Sequence, residues 1–220
     1  MSPIPPNFFA NGFQQEWNEK RLKFILGIWG KDWFPGKRIL EVACGRGFFG
    51  QEFKKLGAEV VFTDARQMFV DELVNNGYTA QVMDQDKPWN VTGPFDLVIH
   101  FGVLYHLDDW KQDLRCAIET APLVLLETEA TDSLDPTYEQ KIREGDHYDQ
   151  AFNFNATRFS DTHVEAFLTE LGVPFTRYDD PAIDVLPIFV YSWKHGVVDG
   201  PGYHGNSIRR RMWLIGKLEK

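Results

Sequence analysis

Residues 38–50 read Arg38-Ile39-Leu40-Glu41-Val42-Ala43-Cys44-Gly45-Arg46-Gly47-Phe48-Phe49-Gly50, a short apolar run that stops in a cluster of glycines. The run Arg38 to Ala43 follows the breaker Pro35-Gly36 and has the apolar character of a parallel strand buried on both faces. Gly45, Gly47 and Gly50 then match G-x-G-x-x-G between a strand and a helix, with Asp64 at the end of the next strand. Such a turn brings backbone close to an adenosine ligand, and an acidic side chain one strand later can accept both ribose hydroxyls. By itself the pattern fits a nicotinamide dinucleotide as well as any other adenosine cofactor.

Outward from this turn, strands and helices alternate. Phe49, Phe53 and Leu56 mark one helical face that Gly57 closes, and Glu59 to Asp64 is a second strand. A helix carrying Phe69, Leu73 and Val74 stops at Gly77; residues 79–84 form a third strand and Phe95 to His100 a fourth. A helix around Trp110, Leu114 and Ile118 leads to a fifth strand, Leu123 to Thr128. Ser160 can cap a helix bearing Val164, Phe167, Leu168 and Leu171, with Gly172 as its stop. Strands at Phe175 to Tyr178 and Arg211 to Gly216 complete the sheet. Upstream, residues 1–35 are an irregular arm and then an amphipathic helix with Leu22, Ile25, Leu26 and Trp29 on one side. This alternation implies an α/β fold with parallel pairing and helices on both faces. Residues 129–159 and 179–207 resist the scheme and are expected to be acceptor-side inserts.

A chain of 220 residues with 43% hydrophobic and 25% charged content fits a single globular domain over 1–220. Its 32 acidic against 23 basic residues give a net charge of −9, which repels polyanions and disfavours a nucleic-acid partner. The basic run Arg209-Arg210-Arg211 is expected to be a solvated strand entry, with phosphate contact as the rival. Cys44 and Cys116 are the only cysteines and lack metal-ligand or disulfide spacing. No stretch approaches the roughly 20 apolar residues needed to span a bilayer, and residues 1–12 lack a signal-peptide pattern. A soluble, cytoplasmic protein without a bound metal is expected, its oligomeric state open.

Glu41 breaks the tie at the glycine turn. Two like charges about 4 Å apart cost on the order of 4 kcal/mol at an effective dielectric of 20, so a carboxylate beside the turn penalises a pyrophosphate. S-adenosylmethionine carries a sulfonium, an ammonium and one carboxylate, and tolerates the neighbouring anion. Ile39 to Gly47 also resembles the first motif of class I S-adenosylmethionine-dependent methyltransferases. Asp64, Asp84-Gln85 and the run Phe95 to His106 look like the family's later motifs, in order, over about residues 36–130. The resemblance implies a Rossmann-like, mostly parallel seven-stranded sheet with an antiparallel last strand. It implies donor contacts from Glu41, Ala43, Cys44, Gly45 and Gly47, from Asp64 and Ala65, from Asp84 and Gln85, and from His100 and Phe101. Ala43 stands where the family usually has its first glycine, and a positive φ there would strain it.

Methyl transfer to a protic acceptor requires a proton acceptor. His100 and His106 both lie near the expected donor site, His100 with a structural role as its rival and His106 with a packing or capping role, since Asp108 or Asp109 starts the next helix. Glu127 and Glu129 are expected to close the fifth strand on alternate faces, with Glu129 reaching the acceptor. Asp146-His147-Tyr148-Asp149, Asn153, Asn155 and Arg158 suit a polar small molecule, or else a solvated loop. Trp193, His195, Tyr203 and His204 would make an aromatic lid or a protein contact surface. Trp17 and Arg21 could cover the donor, the arginine pairing with its carboxylate, or simply pack the first helix. The expected activity is methyl transfer to an oxygen or nitrogen of a small polar molecule. Alternatives are a transfer-RNA wobble-uridine modifier, which the Gly-Val-Leu-Tyr-His run faintly resembles, a silent donor-binding module, or an NAD-dependent oxidoreductase.

Overall fold

A computed structural model of the chain describes residues 13–131, 133–178 and 208–217. Five parallel strands, β1 (Arg38–Val42), β2 (Glu59–Asp64), β3 (Thr79–Val82), β4 (Leu97–Phe101) and β5 (Val124–Thr131), join β8 (Phe175–Tyr178) and β9 (Ile208–Ile215) in one sheet. Its order is β3-β2-β1-β4-β5-β9-β8, and β9 runs antiparallel to both neighbours. This is the sheet that the sequence implies. The order reverses beside β1, so the carboxyl ends of β1 and β4 open a crevice where ligands of such sheets bind.

Alternation along the strands divides the core in two. Leu40, Val42, Val98, Leu126 and Trp213 pack with Trp110 and Leu114 of α4 (Trp110–Thr120) and with Val164, Phe167 and Leu168 of α5 (Asp161–Glu170). Ile39, Leu97, Ile99, Leu125 and Met212 pack with Ile25 of α1 (Phe13–Trp29), Phe49 and Phe53 of α2 (Phe48–Lys55), and Leu73 of α3 (Gln67–Asn75). Helices therefore cover both faces. On α3 the buried stripe is Phe69, Val70 and Leu73, while Val74, expected in the core, is 50% exposed.

Glycine and capping signals place the helix ends as read. Gly57, Gly77 and Gly172 have φ of +92°, +80° and +68°, and the hydroxyl of Ser160 accepts the His163 N–H at the start of α5. The insert beginning at residue 129 differs from its expected irregular form. β5 continues through Thr131, and β6 (Glu139–Arg143) pairs antiparallel with β7 (Asn155–Phe159) as a separate hairpin. Thr157 Oγ1 donates to the Leu107 carbonyl at 2.8 Å, fastening that hairpin to the segment after β4. The expected lid residues Trp193, His195, Tyr203 and His204 lie outside the described residues. No helix among the described residues is long and apolar enough to cross a membrane.

Candidate active site

The glycine turn is built by close packing. Gly50 sits in the first turn of α2 against β1 and β2: a Cβ there would lie 2.4 Å from a Phe62 ring carbon and 2.6 Å from Glu41 Oε2. Gly47 is left-handed at φ +69°, and its Cβ would meet the same ring at 2.6 Å. Gly45 differs. It is left-handed at φ +52°, yet nothing lies within 4 Å of its Cβ position, so its backbone faces space that a ligand can approach. Ala43 does take a positive φ, +45°, the conformation in which alanine is strained.

Glu41 lies under the turn, buried, with Oε2 accepting the Gly50 N–H at 2.7 Å. Burial pushes its carboxyl up to about 8, against the pull of the Gly50 and Phe49 N–H groups and of Arg21. Burial thus works against the standing anion expected here, while the carboxyl satisfies an N–H in the first turn of α2. Burial, with Glu41 and Asp64 nearby, also pushes the Cys44 thiol up, so this cysteine is no ready nucleophile.

Asp64 ends β2 with Oδ2 accepting the Gly45 N–H and Oδ1 the Arg66 N–H, both at 2.9 Å. Burial raises its pKa. Ala65 beside it is partly buried. Asp84, just beyond β3, meets Lys87 Nζ at 2.9 Å and Asn153 Nδ2 at 3.3 Å. Gln85 is buried with its Nε2 unpartnered. A buried amide donor without an acceptor is costly, and an adenine ring nitrogen would relieve it. Phe101 ends β4 with its ring 4.9 Å from that of Phe49. The open face of Gly45, the carboxylate of Asp64 and the unmatched amide of Gln85 together fit an adenosine-bearing donor.

Strand parity settles the remaining candidates. His100 shares the face of Val98 and is fully buried, its Nε2 2.5 Å from Asp113 Oδ2 of α4; Trp89 Nε1 donates to the other oxygen at 2.9 Å. This is the geometry of the structural rival, a histidine buried in the core and paired through Nε2, although its Nδ1 has no hydrogen-bond partner among the described residues. Glu127 and Glu129 do not point to alternate faces, because residues two apart on a strand share one. Arg210 of β9 donates to both, at 3.1 Å each. Arg21 donates to Glu127 at 3.1 Å and lies over the Trp17 ring, so its pairing partner is this internal carboxylate. Burial foremost lowers the Arg21 pKa to about 10. Arg210 also donates to the Tyr105 hydroxyl at 3.0 Å, and Arg211 donates to Asp161 on the opposite face at 3.0 Å. Neither arginine belongs to a solvated strand entry: both are buried and ion-paired.

His106 is held differently. It lies in a single helical turn, Leu104–His106, directly after β4. Its Nδ1 is 2.6 Å from Glu144 Oε2, and its side chain keeps 14% exposure. Glu144, which the sequence reading missed, follows β6 and also accepts Arg158 Nη2 at 2.8 Å and the Ala151 N–H at 2.6 Å. Burial alone would raise its pKa; His106, Arg158 and the Ala151 N–H outweigh it and hold the carboxyl at about 2. The rest of the insert reaches the donor side. Arg66 donates to the carbonyls of His147, Tyr148 and Gln150, and Asn153 to Asp84 and Asp86, whereas Asp146 and Asn155 are exposed. Asp109 caps α4 by accepting the Gln112 N–H.

A family model described as a methyltransferase domain matches residues 12–172. A ubiquinone biosynthesis O-methyltransferase, mitochondrial, of Schizosaccharomyces pombe is 28% identical over 111 residues, a match covering 46% of this chain and 40% of that protein. Among solved structures, the N-terminal domain of EvdMO1 with SAH bound superposes with a TM-score of 0.64 at 15% identity, over 92% of this chain and 81% of that one. Magnesium protoporphyrin IX methyltransferase (ChlM) from Synechocystis PCC 6803, with bound SAH, gives 0.59 at 15% identity, over 93% and 84% of the two chains.

Proposed function

The chain belongs to the methyltransferase-domain family, and on that premise we propose that it transfers the methyl group of S-adenosylmethionine to an oxygen of a small polar molecule. The observation that carries this reading is the coincidence, at the carboxyl edge of β1 to β4, of an adenosine cradle and, just after β4, the partly exposed His106 paired with the carboxylate of Glu144. Gly45, Asp64, Asp84 and Gln85 would hold the donor, which when bound supplies an electrophilic methyl on its sulfonium. The relative from Schizosaccharomyces pombe, named an O-methyltransferase, favours oxygen over nitrogen as the receiving atom.

A hydroxyl that becomes a nucleophile must give up its proton, and a positioned base contributes about a hundred- to ten-thousandfold to such a step. His106 takes that role. Glu129 is engaged by Arg210, and His100 has no exposed surface. Alignment and exclusion of water supply the rest of the acceleration.

Incubation with S-adenosylmethionine and a panel of hydroxyl and amino acceptors, a short RNA and NAD with alcohols tests the reading. Production of S-adenosylhomocysteine with a hydroxyl acceptor, lost in Asp64→Ala, supports it. Turnover of the RNA alone, or tighter calorimetric binding of NAD than of the methyl donor, refutes it.

A further inference from the structure

We infer that Glu144 is a positioning residue for the proposed methyl transfer: by accepting a hydrogen bond from the N–H at His106 Nδ1 it leaves Nε2 as the nitrogen that takes the acceptor's proton. The inference rests on the function proposed above and deepens it. A neutral imidazole carries its one proton on either nitrogen, and the choice is set by what the other atoms nearby can accept or donate. An ionised carboxylate only accepts. At 2.6 Å from Nδ1, Glu144 therefore stabilises the tautomer with Nδ1 protonated and Nε2 bare.

Several features make this arrangement specific. Glu144 is fixed before His106 reaches it, because Arg158, across the hairpin on β7, binds Oε1 at 2.8 Å while the Ala151 N–H binds Oε2 at 2.6 Å. Arg158 is itself anchored by donating to the Tyr105 carbonyl at 2.8 Å, one residue before His106. The His106 ring stacks on Tyr105 with centroids 4.0 Å apart, which limits its rotation. His106 Nε2 makes no hydrogen bond among the described residues and is not buried, so it is open to an incoming group. Among the described residues, the charged and titratable groups linked to the ring are Glu144, Arg158 and Tyr105, and burial foremost, with Glu129 and Glu127 against the pull of Arg210 and Arg158, raises the Tyr105 pKa. Such an ordered carboxylate–histidine pair fixes both the tautomer and the ring plane of a base. It also gives the β6–β7 hairpin, whose Phe159 packs into the main core, a chemical purpose.

The test is nitrogen NMR of histidine-labelled protein at pH 8, with the His106 signals assigned by their disappearance in His106→Asn. The expected result is a protonated Nδ1 and a bare Nε2. Glu144→Leu, which removes the acceptor, should lift the restriction and raise the share of molecules with a protonated Nε2; Glu144→Asp, which keeps the charge, should retain the original tautomer at least in part. A protonated Nε2 in the unaltered protein, or an unchanged pattern in Glu144→Leu, overturns the inference. Should Glu144→Leu fail to fold, the spectrum of the unaltered protein decides alone. Calorimetry of the same samples with S-adenosylhomocysteine keeps the two ideas apart: absent binding to unaltered protein refutes the function proposed above, whereas binding with the wrong tautomer refutes only the role of Glu144.

Discussion

Two glycines of one motif should fail in different ways when each is replaced by alanine. At Gly50 the new methyl would sit 2.4 Å from the Phe62 ring and 2.6 Å from Glu41 Oε2, both inside any tolerable contact, and neither neighbour is free to move because both are buried. Overpacking of this kind costs about 3 kcal/mol, toward the upper end of its usual range. Alanine's better helix propensity returns about 1 kcal/mol, leaving a net loss of about 2. For a chain of this length that lowers Tm by roughly 4–8 °C. At Gly45 no neighbour lies within 4 Å of the new methyl, so only the left-handed φ of +52° is penalised, by about 1 kcal/mol, or roughly 2–4 °C. The same methyl would stand in the space assigned to the donor, so S-adenosylhomocysteine affinity should fall at least tenfold in Gly45→Ala. Thermal melts and calorimetry on both variants give the comparison. A Gly50→Ala protein as stable as the parent would refute the packing geometry of the turn; undiminished binding by Gly45→Ala would refute the placement of the donor over it.

His100→Ala, at a residue the sequence offers as a proton acceptor, should destabilise the protein, because it strands the fully buried Asp113 with only Trp89 as partner. Breaking such a pair costs about 3 kcal/mol, read as a urea midpoint shift; unaltered stability with slowed turnover would restore a catalytic histidine. The pH dependence of stability should carry the signature of Glu41. Its folded pKa of about 8 lies above the ordinary glutamate value, so the native state keeps a proton that the unfolded chain has lost. Stability from this group is therefore complete in acid, declines as pH rises from about 4.5 toward 8, and flattens above that. Denaturation midpoints from pH 5 to 9 should show this decline, and Glu41→Gln should flatten it; an identical slope in the variant would mean that Glu41 is ionised throughout.

Local sequence was enough for the fold because its signals are local. Apolar runs between turn residues mark β1, β2, β4 and β5, and glycines with positive φ stop the intervening helices. Once strands and helices alternate, handedness and short connections leave few topologies. The places of the candidate donor residues were legible for the same reason: Asp64 ends β2, Gly45 and Asp84-Gln85 sit just past β1 and β3, and strand ends can be read. Strand parity held more information than was drawn from it. Period two already places Glu127 with Glu129, and Arg210 falls opposite Glu129 only through the β5–β9 register.

What the sequence by itself determined is thus the alternation of strands and helices, the crevice beyond their ends and a glycine turn suited to an adenosine ligand, since these follow from residues within a few positions of one another. Tertiary structure alone decided which charges remain available. Arg21 meets Glu127 across 106 positions, His106 meets Glu144 across 38, and burial beneath α2 pushes the Glu41 carboxyl toward its protonated form. The physical reason is that a side chain's pairing and protonation depend on the dielectric and the partners around it, and both are supplied by segments that only folding brings together.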